Sequence, residues 1–208
     1  MADLKIHGIA KSRAIRNIWT AEELGVPYEQ VKVGWTDGGT KKPEFLAINP
    51  NAAVPALQDG KLALFESLAI NLYLAKKYGA GKLYPASIED EAKTWQWALW
   101  VATEVERHTG TYGMHTWGYV PEKRDPKVAA DALKALEKPM GVLNQHLAKQ
   151  PYLLGGSFTV ADLNVAGVFF SPYVMKFDFS PWPNVKAWID RCFTRKAAQK
   201  TIEIRAAS

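Results

Sequence analysis

The feature that most constrains this chain is a change of hydrophobic period near residue 80. Before it, short alternating runs take turns with amphipathic stretches. LKIHGI (4–9), YEQVKV (28–33), VPALQ (54–58) and KLALF (61–65) carry the two-residue alternation of strands. Between the first two, SRAIRNIWTAEELG (12–25) sets Ile15, Ile18, Trp19 and Leu24 on a helical face and stops at Gly25. A polar loop, WTDGGTKK (35–42), leads to a short helix opened by Pro43, and a further helix runs from Ser67 to about Tyr78. The order is βαβ-α-ββα. After the connector KYGAGKLYPAS (77–87) only helical periods persist, over 88–118, 126–148, 160–172 and 184–197. The expectation is an α+β chain: an α/β domain at 1–79, a linker at 80–87 and an all-helical domain at 88–208.

Composition narrows the classes of function. Of the 208 residues 48% are apolar and 23% charged, the balance of an ordinary globular protein. No stretch approaches the roughly 18 apolar residues of a membrane span, and MADLKIHG lacks the pattern of a secretory signal. Cys192 is the single cysteine, so no intrachain disulfide can form, which suits a reducing cytoplasm. The net charge of +5 is spread through the chain: residues 1–80 hold ten Lys and Arg against eight acids, and the remainder sixteen against thirteen. Basic residues interleaved with acids make no nucleic-acid footprint, while a mildly basic surface suits anionic small molecules.

Three places carry a chemical reading. Pro55 heads an apparent strand, where a residue without an N–H marks an edge or a special peptide geometry. A cis Val54-Pro55 bond would turn the Val54 backbone outward to pair with an extended peptide; the alternative is an ordinary trans proline. Glu66-Ser67 stands at the mouth of a helix. Ser67 is placed to cap it, and the same mouth attracts a carboxylate while Glu66 attracts an ammonium group. Ser12 follows the first strand at the start of the first helix. It either caps that helix only, or also donates to a thiolate and favours the ionised form of a thiol that titrates near pH ~8.5 when free.

The stretches SRAIRNIWTAEELGVPYE, KKPEFLAINPNAAVPALQDGKLALFESLAINLYLAKKYG and LLGGSFTVADL together resemble the cytosolic glutathione S-transferases, bacterial-type and serine-class-like, over nearly the whole chain. The resemblance implies a thioredoxin-like N-terminal domain ahead of the all-helical one. It implies a cis Val54-Pro55 whose Val54 backbone pairs with the cysteinyl part of glutathione, and Glu66 and Ser67 holding the γ-glutamyl group. It places a serine, tyrosine or cysteine at the strand–helix junction, and here the candidate is Ser12. Many relatives have a glycine followed by Lys or Gln before the Val-Pro pair, where this chain has Ala52-Ala53. Lys41 or Lys42 then becomes the candidate for the glycyl carboxylate.

The helical domain is expected to supply the second-substrate pocket, with His108, Tyr112, His115 and Trp117 from the stretch 95–120, joined by Ile9. A helix loosening at Gly110 and Gly113 would suit a flat or aromatic electrophile. His108 and His115 have no Cys/His partner pattern, so no metal is expected. Thr159 and Asp162 have the form of a capping box, a structural role. The reading is a glutathione transferase, a homodimer in the cytoplasm, taking glutathione as co-substrate and no cofactor. The alternatives are a glutathione-dependent disulfide reductase or peroxidase, and a non-catalytic binding module on the same fold.

Overall fold

A computed structural model describes residues 3–34 and 36–208. Trp35, the first residue of the expected polar loop, and Met1 and Ala2 at the N-terminus lie outside the described residues. The chain forms two compact units, Met1–Pro85 together with Thr194–Ser208, and Ala86–Phe193.

The first unit is built on four strands, β1 (Leu4–His7), β2 (Glu29–Val31), β3 (Ala56–Asp59) and β4 (Leu62–Phe65), in the order β2-β1-β3-β4. β1 and β2 are parallel, joined through helix α1 (Ala14–Leu24), whereas β1/β3 and β3/β4 are antiparallel. Short α2 (Pro43–Leu46) and α3 (Ser67–Tyr78) complete the βαβ-α-ββα order. Ile6 and Leu57 from the sheet, Ile18 and Trp19 from α1, and Ile70 and Leu74 from α3 are fully buried. Gly25 ends α1 in the left-handed conformation at φ 63, which a glycine adopts without steric penalty.

Two local expectations shift. α1 begins at Ala14, so Ser12 lies ahead of the helix; its oxygen still accepts from the Ala14 N–H at 3.1 Å. α3 is capped at Glu66, and Ser67 is its first helical residue rather than its cap. The chain also returns to the first unit at its C-terminal end. Helix α10 (Lys196–Ala206), expected with the helical domain, packs on α1.

The second unit holds α4 (Ile88–Trp100), α5 (Glu106–Gly113), α6 (Pro126–Leu147), α7 (Val160–Val168), α8 (Phe170–Val174) and α9 (Pro183–Phe193). Its core centres on Leu136, Met140, Phe169, Phe170, Trp188 and Phe193, with Cys192 buried among them. The expected loosening at Gly110 and Gly113 is displaced: both glycines are helical in α5, and single π-helical turns lie to either side, at Val101–Val105 and Met114–Gly118. Such turns insert an extra residue and re-aim the side chains that follow. At α7 the capping box is closed, with the Thr159 and Asp162 side chains each engaging the other's backbone end. Asp162 also accepts from the Leu153 N–H at 2.8 Å and from the Trp188 indole at 2.9 Å. Burial lifts its carboxyl above the ordinary range against the pull of these donors.

Candidate functional site

Strand register assembles the site. His7, Ala56 and Phe65 stand side by side on β1, β3 and β4. The residues one step beyond them, Gly8, Pro55 and Glu66, therefore leave the same edge of the sheet, and three loops begin there together.

The first loop carries Ser12. Gly8 has φ 138, and a methyl group added to it would sit 2.7 Å from Ala14 Cβ and 3.3 Å from both Ser12 Oγ and Val54 Cβ. Only glycine allows that approach, so Gly8 is what brings Ser12 and Val54 together. The Ser12 hydroxyl donates to the Ile9 carbonyl at 2.7 Å, and the Ser12 N–H donates to the same carbonyl at 2.9 Å. Ile9 is thus tied to Ser12 through its backbone, with its side chain half-buried.

The second loop carries Val54-Pro55, and its peptide bond is cis. The Val54 N–H and C=O have no hydrogen-bond partner among the described residues. What holds this loop is Asn49, a residue to which sequence reasoning gave no role. Its amide donates to the Ala53 carbonyl at 2.7 Å, and its oxygen accepts from the Asn51 N–H at 3.1 Å. Asn49 is buried, so a short polar side chain supplies the loop's internal framework. Its place within INPN was the signal. Ala52 takes φ 53, a left-handed conformation that suits glycine better than alanine. Lys41 and Lys42 are exposed, and neither ammonium has an ion-pair partner among the described residues.

The third loop carries Glu66-Ser67. Glu66 is exposed and held at φ 70, ψ 110, a sparsely populated region that costs about 1–3 kcal/mol. Ser67 is buried, and its oxygen accepts from the Arg16 guanidinium at 3.1 Å. Because Arg16 fills an acceptor position, the Ser67 hydroxyl proton is left to point elsewhere. The Asn17 amide donates to the Ser67 carbonyl at 2.8 Å and to Asn71 Oδ1 at 2.6 Å, fixing the start of α3 on α1. Arg16 and Asn17 were missed because nothing local marks them; their partners lie 50 or more residues away.

In the helical unit, Tyr112 and Trp117 meet edge to face at 5.4 Å, and Tyr112 meets Phe177 likewise at 5.3 Å. Tyr112 and Trp117 are half-buried and rest on the buried Phe177, with Trp117 folded back over Gly113. His108 is half-buried one turn before Tyr112. His115 is engaged with its own neighbours. Its Nδ1 accepts from the Asp125 N–H at 3.0 Å, and its ring lies edge-on to Tyr119. Among the described residues no group of His, Cys, Asp or Glu could hold a metal ion, and no helix is long and apolar enough to cross a membrane.

The N-terminal domain model of glutathione S-transferases matches residues 2–76, and the C-terminal domain model matches residues 104–196. The chain belongs to the glutathione S-transferase family. Glutathione S-transferase 1 of Zea mays is 34% identical over 210 residues, covering 96% of each chain. Among solved structures, the theta class glutathione S-transferase of Xanthomonas axonopodis pv. citri with glutathione bound has a TM-score of 0.90. It is 33% identical, over 97% of both chains. Maize glutathione S-transferase I, in complex with an atrazine glutathione conjugate, superposes with a TM-score of 0.88 at 31% identity over 99% of each chain. The four-stranded sheet with its helices is the thioredoxin-like half of this transferase fold, and the chain is accordingly a transferase that conjugates glutathione to electrophiles.

Proposed function

We propose that this transferase binds glutathione along Val54, Pro55, Glu66 and Ser67, activates its thiol at Ser12, and joins the sulfur to a small hydrophobic electrophile. The approach of Ser12 Oγ and Val54 to Gly8, at the edge where Glu66-Ser67 also emerges, carries this reading.

The Val54 N–H and C=O would pair with the cysteinyl peptide as an added strand does. The γ-glutamyl carboxylate would take the Ser67 hydroxyl proton at the positive end of α3, with the ammonium group on Glu66. Lys41 or Lys42 would meet the glycyl carboxylate in place of the side chain missing at Ala53.

Once sulfur is seated, the Ser12 hydroxyl turns its proton from the Ile9 carbonyl to the thiolate. That carbonyl keeps the Ser12 N–H, so the exchange leaves it satisfied. The donated hydrogen bond and the N–H groups of the α1 mouth favour the thiolate, whose proton passes to solvent. The sulfur lone pair then forms a carbon–sulfur bond as the leaving group departs with its electrons, or as a double bond takes up the pair. The Tyr112–Trp117–Phe177 cluster supports a flat apolar second substrate, for which His108 and His115 of the same unit are the further candidates. No cofactor enters the step.

We also propose a homodimer in the cytoplasm. Ile88, Trp95 and Leu99 form one exposed stripe on α4, and the edge strand β4 exposes Leu62 and Phe65. Trp95→Glu should then lower the mass seen in sedimentation to that of one chain. The single cysteine, buried, suits a reducing compartment.

Ser12→Ala tests the chemistry. Glutathione affinity should hold within about threefold while kcat for conjugation at neutral pH falls about a hundredfold. Unchanged turnover would remove Ser12 from the mechanism.

A further inference from the structure

Helix α10 runs along α1 in the opposite direction and is pinned at both ends. At one end the Arg195 guanidinium grips the Glu23 carboxylate through two bonds of 2.8 Å, and Lys200 pairs with Glu22 at 2.7 Å. At the other end the Arg205 guanidinium donates to the Ala10 carbonyl at 3.2 Å, and the Lys11 ammonium donates to the Ser208 carbonyl. Ala10 and Lys11 are the two residues immediately before Ser12.

The loop between β1 and α1 therefore has two carbonyls in sequence with different supports. That of Ile9 is answered from inside the loop, by Ser12 itself. That of Ala10, a fully buried residue, is answered by Arg205, 195 residues away, and by no other donor among the described residues. A buried carbonyl deprived of its donor drives the backbone to rearrange, because an unmet group costs more than the net worth of the bond. When Ser12 releases the Ile9 carbonyl to reach sulfur, the loop loses one of its internal ties and depends more on the external one.

We propose that Arg205 is a positioning residue for Ser12: it fixes the Ala10 carbonyl and so the direction in which the Ser12 hydroxyl is presented to the thiol. The proposal rests on the reading of Ser12 given above. It touches neither the Val54 backbone nor the Glu66-Ser67 mouth, and so separates thiol activation from peptide binding.

The test measures three quantities on wild type, Arg205→Ala, Arg205→Lys and Ser12→Ala: affinity for S-methylglutathione, kcat for conjugation, and the pH midpoint at which bound glutathione gains thiolate absorbance. Arg205→Ala should bind S-methylglutathione within about threefold of wild type, lose about tenfold in kcat at neutral pH, and move the midpoint toward that of free thiol. Arg205→Lys, which keeps a cationic donor, should recover most of the loss. In a Ser12→Ala background, Arg205→Ala should add less than about twofold.

If Ser12→Ala itself leaves the midpoint in place, the Ser12 reading fails, and this proposal with it. If Ser12→Ala moves the midpoint and Arg205→Ala does not, the proposal alone is overturned. An equal fall in S-methylglutathione affinity and kcat also overturns it, since the whole site would then have loosened. Should Arg205→Ala not fold, Arg205→Met against Arg205→Lys carries the same comparison with the apolar stem kept and the donor removed.

Discussion

Helices α3 and α7 meet the same problem at their first turns and answer it in opposite ways. Each presents N–H groups with no partner inside the helix. At α7 the answer is internal: Thr159 and Asp162 close on one another, and the Asp162 carboxylate also gathers the Leu153 N–H and the Trp188 indole. At α3 no side chain caps the helix. Glu66 stands exposed in a strained conformation, and Ser67 is held from behind by Arg16 with its proton uncommitted. A closed mouth contributes stability, and the open one is where we propose the γ-glutamyl group binds. Mutations at the two should therefore report in different experiments.

The largest effect is expected at the closed mouth. Asp162→Ala strands the Leu153 and Thr159 N–H groups and the Trp188 indole in the core, and should cost about 3–5 kcal/mol in denaturant unfolding. A loss below about 1 kcal/mol would show that water or repacking satisfies those donors, and would break the contrast.

Next comes Ser67→Ala at the open mouth. It should raise KM for glutathione about tenfold and leave unfolding within about 1 kcal/mol of wild type. A larger fall in stability than in affinity would make Ser67 a structural residue like Thr159.

A smaller effect is expected from pH, at the strand that leads into the Ser12 loop. His7, beside Gly8, is buried, and this holds its pKa below the ordinary 6.5, with the Gln58 bond and Glu29 opposing and Lys5 assisting. Above pH 6.5 both folded and unfolded chains carry the neutral ring, and the contribution is complete. As pH falls the unfolded chain binds the proton first, so stability declines until the folded-state pKa is passed. His7→Gln should flatten the unfolding free energy over that window. An unchanged profile in His7→Gln would count against the assignment.

The smallest effect concerns Ala52, in the loop that carries Val54. Ala52→Gly should stabilise the fold by about 0.5 kcal/mol, because glycine takes φ 53 without the alanine clash. Thermal melting would detect it, and a destabilised variant would mean that the alanine methyl group has packing value.

The two mouths were also unequally legible in the sequence. Thr159 and Asp162 are three residues apart and one answers the other, so the capping box could be read directly. Ser67 is buried under Arg16, from a helix 51 residues earlier, and only the pairing of β1 with β3 and of β3 with β4 brings those helices together. Val54-Pro55 was legible through resemblance, because the motif around it is specific. Helix α10 was not: the last helical period read in the sequence ends at residue 197, and the charge partners that bring it back to α1, Glu22 and Glu23, are ordinary surface acids when seen alone. The π-helical turns escaped for the same reason, since Gly110 and Gly113 are the local signal and the extra residues are inserted on either side of them.

The alignment of His7, Ala56 and Phe65 makes β3 the ruler of the site, because it is bonded to both neighbours. Inside β3 the allowed displacement is not continuous. Moving the strand by one residue would exchange the side chains on its two buried faces and carry Val54 away from Ser12 and Glu66 in a single step. The proposed binding edge is therefore set by a strand that stands one residue behind all three of the loops that form it.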